Sequence, residues 1–149
     1  MSLENLLKIK QLQLHDPSNE ALLRLLDAIK RNIEDSQVDV VSGETRFDAA
    51  YKAIMQCAML GLWLNGYRTS TSQPGHHQTA IQALSMTVGI DKSAIIVLNA
   101  LRKQRNVSDY EGDPVSDEVV IECIKQAENL YKHMLNWVRI NRPGLNIRL

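Results

Sequence analysis

The chain has 149 residues, of which 44% are hydrophobic and 23% are charged, and this length and composition fit one domain with a substantial core. Its 17 basic residues balance 17 acidic residues. The balance argues against a broad electrostatic contact with duplex DNA or an anionic membrane, and it leaves room for a local basic pocket.

No segment has the pattern of a signal peptide or a membrane anchor. Charged residues interrupt the apolar ones at the start, MSLENLLKIKQ, and no apolar run approaches the length of a spanning helix. We therefore expect a cytoplasmic protein. Cys57 and Cys123 are far apart in the sequence, so we expect reduced, buried cysteines rather than a zinc or redox pair.

Two predicted helices occupy the first part of the chain. The first is short, with Ser2 as its cap and its end near Leu14. Asp16 followed by Pro17 has the residue types of a cap and a first helical position, which predicts the start of the second helix. That helix reaches about Asp35 on an apolar stripe of Leu22, Leu23, Leu25, Leu26, Ile29 and Ile33.

A third, longer helix is predicted to begin after Ser42 and to end at Asn65-Gly66, where glycine permits the left-handed conformation that stops a helix. Its apolar residues recur at intervals of three and four: Phe47, Ala50, Tyr51, Ile54, Met55, Ala58, Leu62 and Trp63. The polar segment 68–74, RTSTSQP, is typical of a flexible loop. A shorter fourth helix then extends from Gly75 to Gly89.

The fifth predicted helix, from the Asp91 cap to Gly112, has an unusual polar face. At about 100° per residue, one stripe is apolar in its first half and polar in its second half. Its members are Ile95, Leu98, Leu101, Arg102, Arg105, Asn106 and Asp109. Two arginines stand where leucines are usual, and a half-buried guanidinium needs a carboxylate, a carbonyl or a phosphate. This stretch is the candidate site.

Ser116, followed by two acidic residues, predicts the start of the last long helix, which ends before Pro143. Residues 143–149 are expected to form a frayed tail. With no strand pattern of consequence, the sequence predicts a single all-α domain, an antiparallel up-and-down four-helix bundle with one or two additional short helices. The core of the bundle covers about 42–138, and the helices in 1–36 elaborate it.

A second polar group lies near the start of the third helix, at Arg46, Asp48, Tyr51 and Lys52. If the third and fifth helices pack antiparallel, Asp48 can neutralise an arginine and Tyr51 can offer its hydroxyl. Two interpretations stay open. The group is either a network that locks two helices together or part of a pocket for phosphate or ribose.

His76 and His77 open the fourth helix. Adjacent positions on a helix face directions about 100° apart, so the two rings cannot easily share a metal ion, and we expect neither a metal site nor a cofactor. At the positive end of this helix, one histidine either reaches the arginine cluster or an anion, or makes only a cap-region contact.

Three segments together carry a family resemblance: RFDAAYKA, GHHQT, and LRKQRNVSDY before a final amphipathic helix. Over residues 42–138 this layout resembles the HEPN superfamily of small four-helix-bundle proteins. The resemblance implies a homodimer in which an R-x(4–6)-H motif from each subunit lies in a shared cleft. It implies either a metal-independent endoribonuclease of toxin-antitoxin or defence systems, or an inactive module that binds a nucleotide or a protein, such as a nucleotidyltransferase or an antitoxin.

The motif arginine maps onto Arg105 and the next residue onto Asn106, but Tyr110 stands where the family has histidine. A phenol transfers protons poorly near neutral pH, whereas it can stack on a base or hydrogen-bond a phosphate. We therefore predict a non-catalytic module that binds a nucleotide, an RNA phosphate or a protein partner. Its binding residues are Arg102, Arg105, Asn106 and Tyr110, supported by Arg46, Asp48 and Tyr51.

Two alternatives stay open. One is a metal-independent endoribonuclease in which Tyr110, His76 or His77 replaces the missing histidine while Arg105 stabilises phosphate charge. The other is an interaction protein whose arginines only brace the core or the dimer.

Overall fold

The structure, a computed structural model, describes residues 2–145 and 147. Its α-helices are α1 (Leu3–Lys8), α2 (Asn19–Ser36), α3 (Gly43–Leu64), α4 (His76–Thr87), α5 (Lys92–Glu111) and α6 (Asp117–Asn141). Two short strands, β1 (Leu12–Leu14) and β2 (Tyr67–Thr69), and a 3-10 helix (Pro143–Leu145) complete the described elements. The chain is mostly helical, which confirms the predicted all-α class in its broad form.

Serine and aspartate side chains fix where the helices begin. The caps predicted at Ser2, Ser42, Asp91 and Ser116 are confirmed, because each side chain accepts a hydrogen bond from the backbone N–H three residues on. The cap of α2 is Ser18, not Asp16. The Ser18 hydroxyl accepts from the Ala21 N–H at 3.1 Å, so the predicted start of this helix was two residues early.

The segment predicted to complete the first helix forms a strand instead. Lys10 adopts a φ of 64°, a left-handed conformation that a helix cannot continue through. Strand β1 then pairs antiparallel with β2, with Leu12 opposite Thr69. These two strands of three residues each are a small addition to a mostly helical chain, and the loop assignment at the start of 68–74 was wrong.

Helix α3 is the central element of the fold. Twelve of its 22 residues are buried, and it contacts α2, α4, α5 and α6. A helix covered on several sides carries apolar residues around most of its circumference, which is why its hydrophobic positions are not confined to one stripe. The fully exposed side chains of α3 are polar and lie in its first half.

The two cysteines lie in the core formed by these helices. Cys57 on α3 and Cys123 on α6 are both free and buried, as predicted. Burial raises the pKa of the Cys57 thiol far above its usual range, and it raises the pKa of Cys123 to about 12. Both thiols are therefore protonated and inert at neutral pH. Among the described residues, no helix has the length and apolarity needed to cross a membrane.

The C-terminal segment is more ordered than the sequence predicts. Pro143–Leu145 form a 3-10 helix in which Leu145 is buried, and Ile147 packs partly against the core. A side-chain nitrogen of Arg142, Nη1, donates to the Leu64 carbonyl at 3.2 Å, which fixes the end of α6 beside the end of α3. Of the predicted frayed tail, Asn146, Arg148 and Leu149 lie outside the described residues.

The packing of α3 against α4 depends on Gly61. A Cβ atom at this position would lie 2.8 Å from Thr87 Oγ1, and Thr87 is buried. We predict that Gly61→Ala lowers the free energy of unfolding, because an overpacking cost of about 1–3 kcal/mol outweighs the helix-propensity gain of about 1 kcal/mol from alanine. Urea denaturation would measure the change.

A Thr87→Ala background provides the matched control, since it removes the atom that the new Cβ would strike. In that background, the loss of unfolding free energy caused by Gly61→Ala should be smaller by about 1 kcal/mol or more. An equal cost in both backgrounds would contradict the close contact as the cause.

Candidate functional site

A cleft of about 500 Å³ opens where α3, α4 and α5 meet at the surface. The residues lining it are Leu25 on α2, Asp48, Tyr51, Lys52, Met55, Gln56 and Met59 on α3, His77 on α4, and Arg105 and Asp109 on α5. Four residues singled out from the sequence therefore meet in one place: Asp48, Tyr51, His77 and Arg105. This cleft is the candidate functional site.

Helix α3 supplies most of the wall because of the spacing of its residues. Asp48, Lys52, Met55 and Met59 follow one another at intervals of three and four positions, which places them along one face. The early positions of this face are charged and the later ones are apolar. The cleft accordingly has a polar end near Asp48 and an apolar end near Met59.

Arg105 is held at the polar end of the cleft by two neighbours. Its Nε lies 2.8 Å from Asp109 Oδ2, one helical turn further along α5, and the two side chains are 33% and 35% exposed. Its guanidinium carbon lies 5.5 Å from the centroid of the Tyr51 ring, within range of a cation–π contact. The ion pair adds little stability at this exposure, but together the two contacts orient the guanidinium.

Tyr51 forms the floor beneath Arg105. The residue is only 3% exposed, and its ring stacks on Phe47 with 6.4 Å between centroids. Burial raises the pKa of Tyr51 to about 12, although the positive charges of Arg105 and Arg102 act in the opposite direction. The phenol is therefore protonated at neutral pH, and its hydroxyl lies 3.4 Å from His77 Nδ1.

His77 is the histidine that lines the cleft with Arg105. Burial lowers its pKa, and the neighbouring His76, Arg105 and Arg102 lower it further, so the imidazole is neutral at neutral pH. A neutral imidazole has one donor and one acceptor nitrogen, and Tyr51 engages one of them. His76 contacts the cleft only indirectly, through an edge-to-face contact with the His77 ring at 4.7 Å.

The charges that line the cleft are balanced. Lys52 and Arg105 are basic, whereas Asp48 and Asp109 are acidic. Burial raises the pKa of Asp48, the negative charges of Asp109 and Glu44 raise it further, and Arg105 opposes this shift. The cleft can therefore accept a ligand with one or two negative charges more easily than a polyanion.

The remaining predicted site residues lie elsewhere. Within the part of the chain that the structure describes, Arg102 and Asn106 are half-buried but do not line the cleft. Arg102 Nε donates to Asn99 Oδ1 at 3.4 Å, and its charge acts on the cleft from a distance. Tyr110 is 84% exposed and does not line the cleft. Arg46 lines a different cavity.

Lys52 belongs to the polar group of the third helix and Asp109 to the polar stripe of the fifth, although neither was predicted to bind a ligand. The cleft residues that the sequence did not indicate at all are Leu25, Met55, Gln56 and Met59. The spacing of Lys52, Met55 and Met59 from Asp48 would have placed them on its face of α3. Gln56 has a defined orientation, since its Oε1 accepts a hydrogen bond from Asn32 Nδ2 at 2.8 Å. Leu25 could not be predicted from spacing, because its place in the cleft depends on how α2 packs against α3.

Metal coordination has no support among residues 2–145 and 147, where no three histidine, cysteine or acidic side chains are grouped to hold an ion. Neither the protein-family models nor the curated proteins with which the sequence was compared give a match. The function therefore has to be inferred from the chemistry of the cleft.

The lowered pKa of His77 predicts a pH-dependent stability. The unfolded chain, with its histidine near the ordinary pKa of 6.5, binds a proton more readily than the folded chain, so folding stability falls as the pH drops through that value. His77→Gln removes this contribution. The wild-type free energy of unfolding, relative to that of the variant, should fall between about pH 7.5 and about pH 5.5.

Urea denaturation of both proteins across this range measures the difference. Asp48, whose pKa is raised, acts in the opposite sense, but it is present in both proteins and its contribution cancels in the difference between them. A difference between the two proteins that stays constant with pH would contradict the lowered pKa of His77.

Proposed function

We propose that this chain is a HEPN-like helical domain that binds a nucleotide or a single RNA phosphate in the cleft between α3 and α5, without catalysing a reaction. The observation that carries the proposal is the position of Arg105. Its guanidinium is oriented by Asp109 at 2.8 Å and by the Tyr51 ring at 5.5 Å, at the polar end of a cleft of suitable size.

The guanidinium has donors to spare for a phosphate. It carries five N–H groups in a planar fork, of which a single carboxylate such as that of Asp109 can engage at most two. The others can bind phosphate oxygens, and Lys52 adds a second positive charge on the same wall. Because Asp48 and Asp109 balance these cations, the site favours a monophosphate over a triphosphate.

The other end of the cleft suits the base of a nucleotide. Leu25, Met55 and Met59 form an apolar surface there, and thioether groups pack favourably against aromatic rings. Gln56 lies between the two ends, and its amide nitrogen can donate to a base or a ribose. A cleft of about 500 Å³ falls within the usual size range of small-molecule sites.

The proposal extends to the architecture and the assembly. We propose that α3 to α6 form an up-and-down four-helix bundle, which α1 and α2 elaborate, and that the chain works in the cytoplasm as a homodimer or beside a nucleotidyltransferase or antitoxin partner. Exposed apolar residues on α5 support a dimer, since Ile96 is 69% and Tyr110 is 84% exposed. Light scattering that shows only monomers at tens of micromolar would count against it.

A second candidate function, the metal-independent endoribonuclease, is favoured by one observation. His77 lines the same cleft as Arg105 and is neutral at neutral pH, the form in which an imidazole can accept a proton from a ribose hydroxyl. In this alternative Arg105 stabilises the charge of the reacting phosphate. Tyr51, protonated at neutral pH, then holds the imidazole rather than acting as the base.

Isothermal titration with adenosine and uridine monophosphates tests the binding proposal. We expect the wild type to bind, and we expect Arg105→Ala to weaken binding about tenfold or more, since charge-assisted hydrogen bonds are lost. Arg139→Ala is the matched control, because Arg139 is exposed on α6 and should leave binding unchanged. Absence of heat at millimolar nucleotide, or equal affinity in wild type and Arg105→Ala, would refute the proposal.

Incubation with mixed RNA in the presence of a chelator separates binding from cleavage. The binding proposal predicts no cleavage that depends on Arg105. The nuclease alternative predicts cleavage that is lost in both Arg105→Ala and His77→Ala and kept in His76→Ala, because only His77 lines the cleft. Gel electrophoresis of the RNA distinguishes the two results.

A further inference from the structure

Arg46 belongs to a second surface site, which shares no lining residue with the nucleotide cleft. This site is a groove of about 310 Å³ between the end of α2, the start of α3 and the middle of α6. Its walls are formed by Gln37, Arg46, Ile121, Ile124, Lys125, Glu128 and Asn129, which we call the Arg46 groove. The cleft between α3 and α5 gives Arg46 no role, because Arg46 does not line it.

The guanidinium of Arg46 is fixed in place by the backbone. Its Nε donates to the carbonyl oxygen of Ser36 at 2.9 Å, and Ser36 is the last residue of α2 and is fully buried. This bond satisfies one orphan carbonyl at a helix end but uses only one of five donors. The terminal nitrogens are thereby held in the wall of the groove, where they can bind another acceptor.

The groove carries an excess of positive charge. Arg46 and Lys125 are basic, and Glu128 is the acidic residue among those lining it. Glu128 accepts a hydrogen bond from Gln37 Nε2 at 3.1 Å, and its single negative charge offsets one of the two positive charges. Whereas the charges of the nucleotide cleft cancel, this groove is complementary to a negatively charged group.

Exposed apolar side chains lie in the groove and in the connection that follows its residue Gln37 in the sequence. Ile121 in its wall is 63% exposed. Directly after Gln37, the connection to α3 exposes Val38, Val40 and Val41 by 43%, 87% and 40%. The connection leads into α3 beside α6, since a Cβ on Gly43, the first residue of α3, would lie 3.4 Å from Val120. A cluster of exposed apolar residues beside cations is typical of a protein-binding surface.

We propose that the Arg46 groove docks a segment of a partner protein that presents a carboxylate next to a large apolar side chain. The carboxylate binds Arg46 and Lys125, while the apolar side chain lies against Ile121 and the valines of the α2–α3 connection. A volume of about 310 Å³ is at the lower limit for a small-molecule site, which favours a protein segment. This docking requires neither nucleotide binding nor catalysis.

Selection of random peptides displayed on phage, with the full chain as bait, tests the proposal. We expect enrichment of peptides that carry Asp or Glu beside Leu, Ile or Phe. The affinity of one selected peptide, synthesised with a fluorescent label, is then measured by anisotropy. Lys125→Glu and Ile121→Asp should each weaken its binding about tenfold or more, and circular dichroism should show an unchanged fold.

Matched controls lie on the same helix outside the groove. Lys132→Glu reverses an exposed lysine two turns further along α6, and Ile140→Asp replaces an isoleucine that is 70% exposed. Both should leave the affinity unchanged. Arg46 itself is left intact, because its bond to Ser36 also stabilises the end of α2.

Three results would overturn the proposal. The first is a selection without enrichment of acidic and apolar peptides. The second is a loss of affinity in the control variants as large as in Lys125→Glu and Ile121→Asp. The third is self-association of the wild type in sedimentation experiments that Ile121→Asp abolishes, since the groove would then be covered by a second copy of this chain.

Discussion

The burial of α3 is the constraint on which the rest of the structure depends. With twelve of its residues in the core and four helices in contact with it, α3 has little surface left. Its fully exposed residues lie in its first half, where Asp48 and Lys52 line the cleft between α3 and α5, and the partly exposed Arg46 lines the Arg46 groove. One helix thus positions both candidate sites, on opposite sides.

Much of the helical layout could be predicted because its determinants are local. A cap at Ser42, Asp91 or Ser116 needs only one side chain and a backbone N–H three residues away. The pairing of β1 with β2 could not be predicted in this way. It joins segments more than fifty residues apart and follows a left-handed residue, Lys10, that is not a glycine, so no local pattern marks it.

In the candidate site, the angular position of a residue on its helix decides which side chains meet, and distance along the sequence alone does not. Arg105 and Asp109 meet because four residues on a helix bring a side chain back to the same face. Tyr110 is five residues from Arg105, which turns it about 140° away, and it is exposed. Tyr110 therefore lies on a different face of α5 from Arg105 and does not line the cleft. Arg46 and Asp48, two residues apart, likewise point to different sites.

Because Cys57 and Cys123 are buried, their reactivity can report the opening motions of the protein. Cys57 lies on α3, and Cys123 lies on α6 with its Sγ 3.9 Å from the Phe47 carbonyl. Because both thiols are enclosed and protonated, a thiol reagent can reach them only when the surrounding helices separate. The rate at which each cysteine is modified therefore reports how often its own helix moves away from the core. The opening rates of α3 and α6 can thus be measured separately in one folded chain.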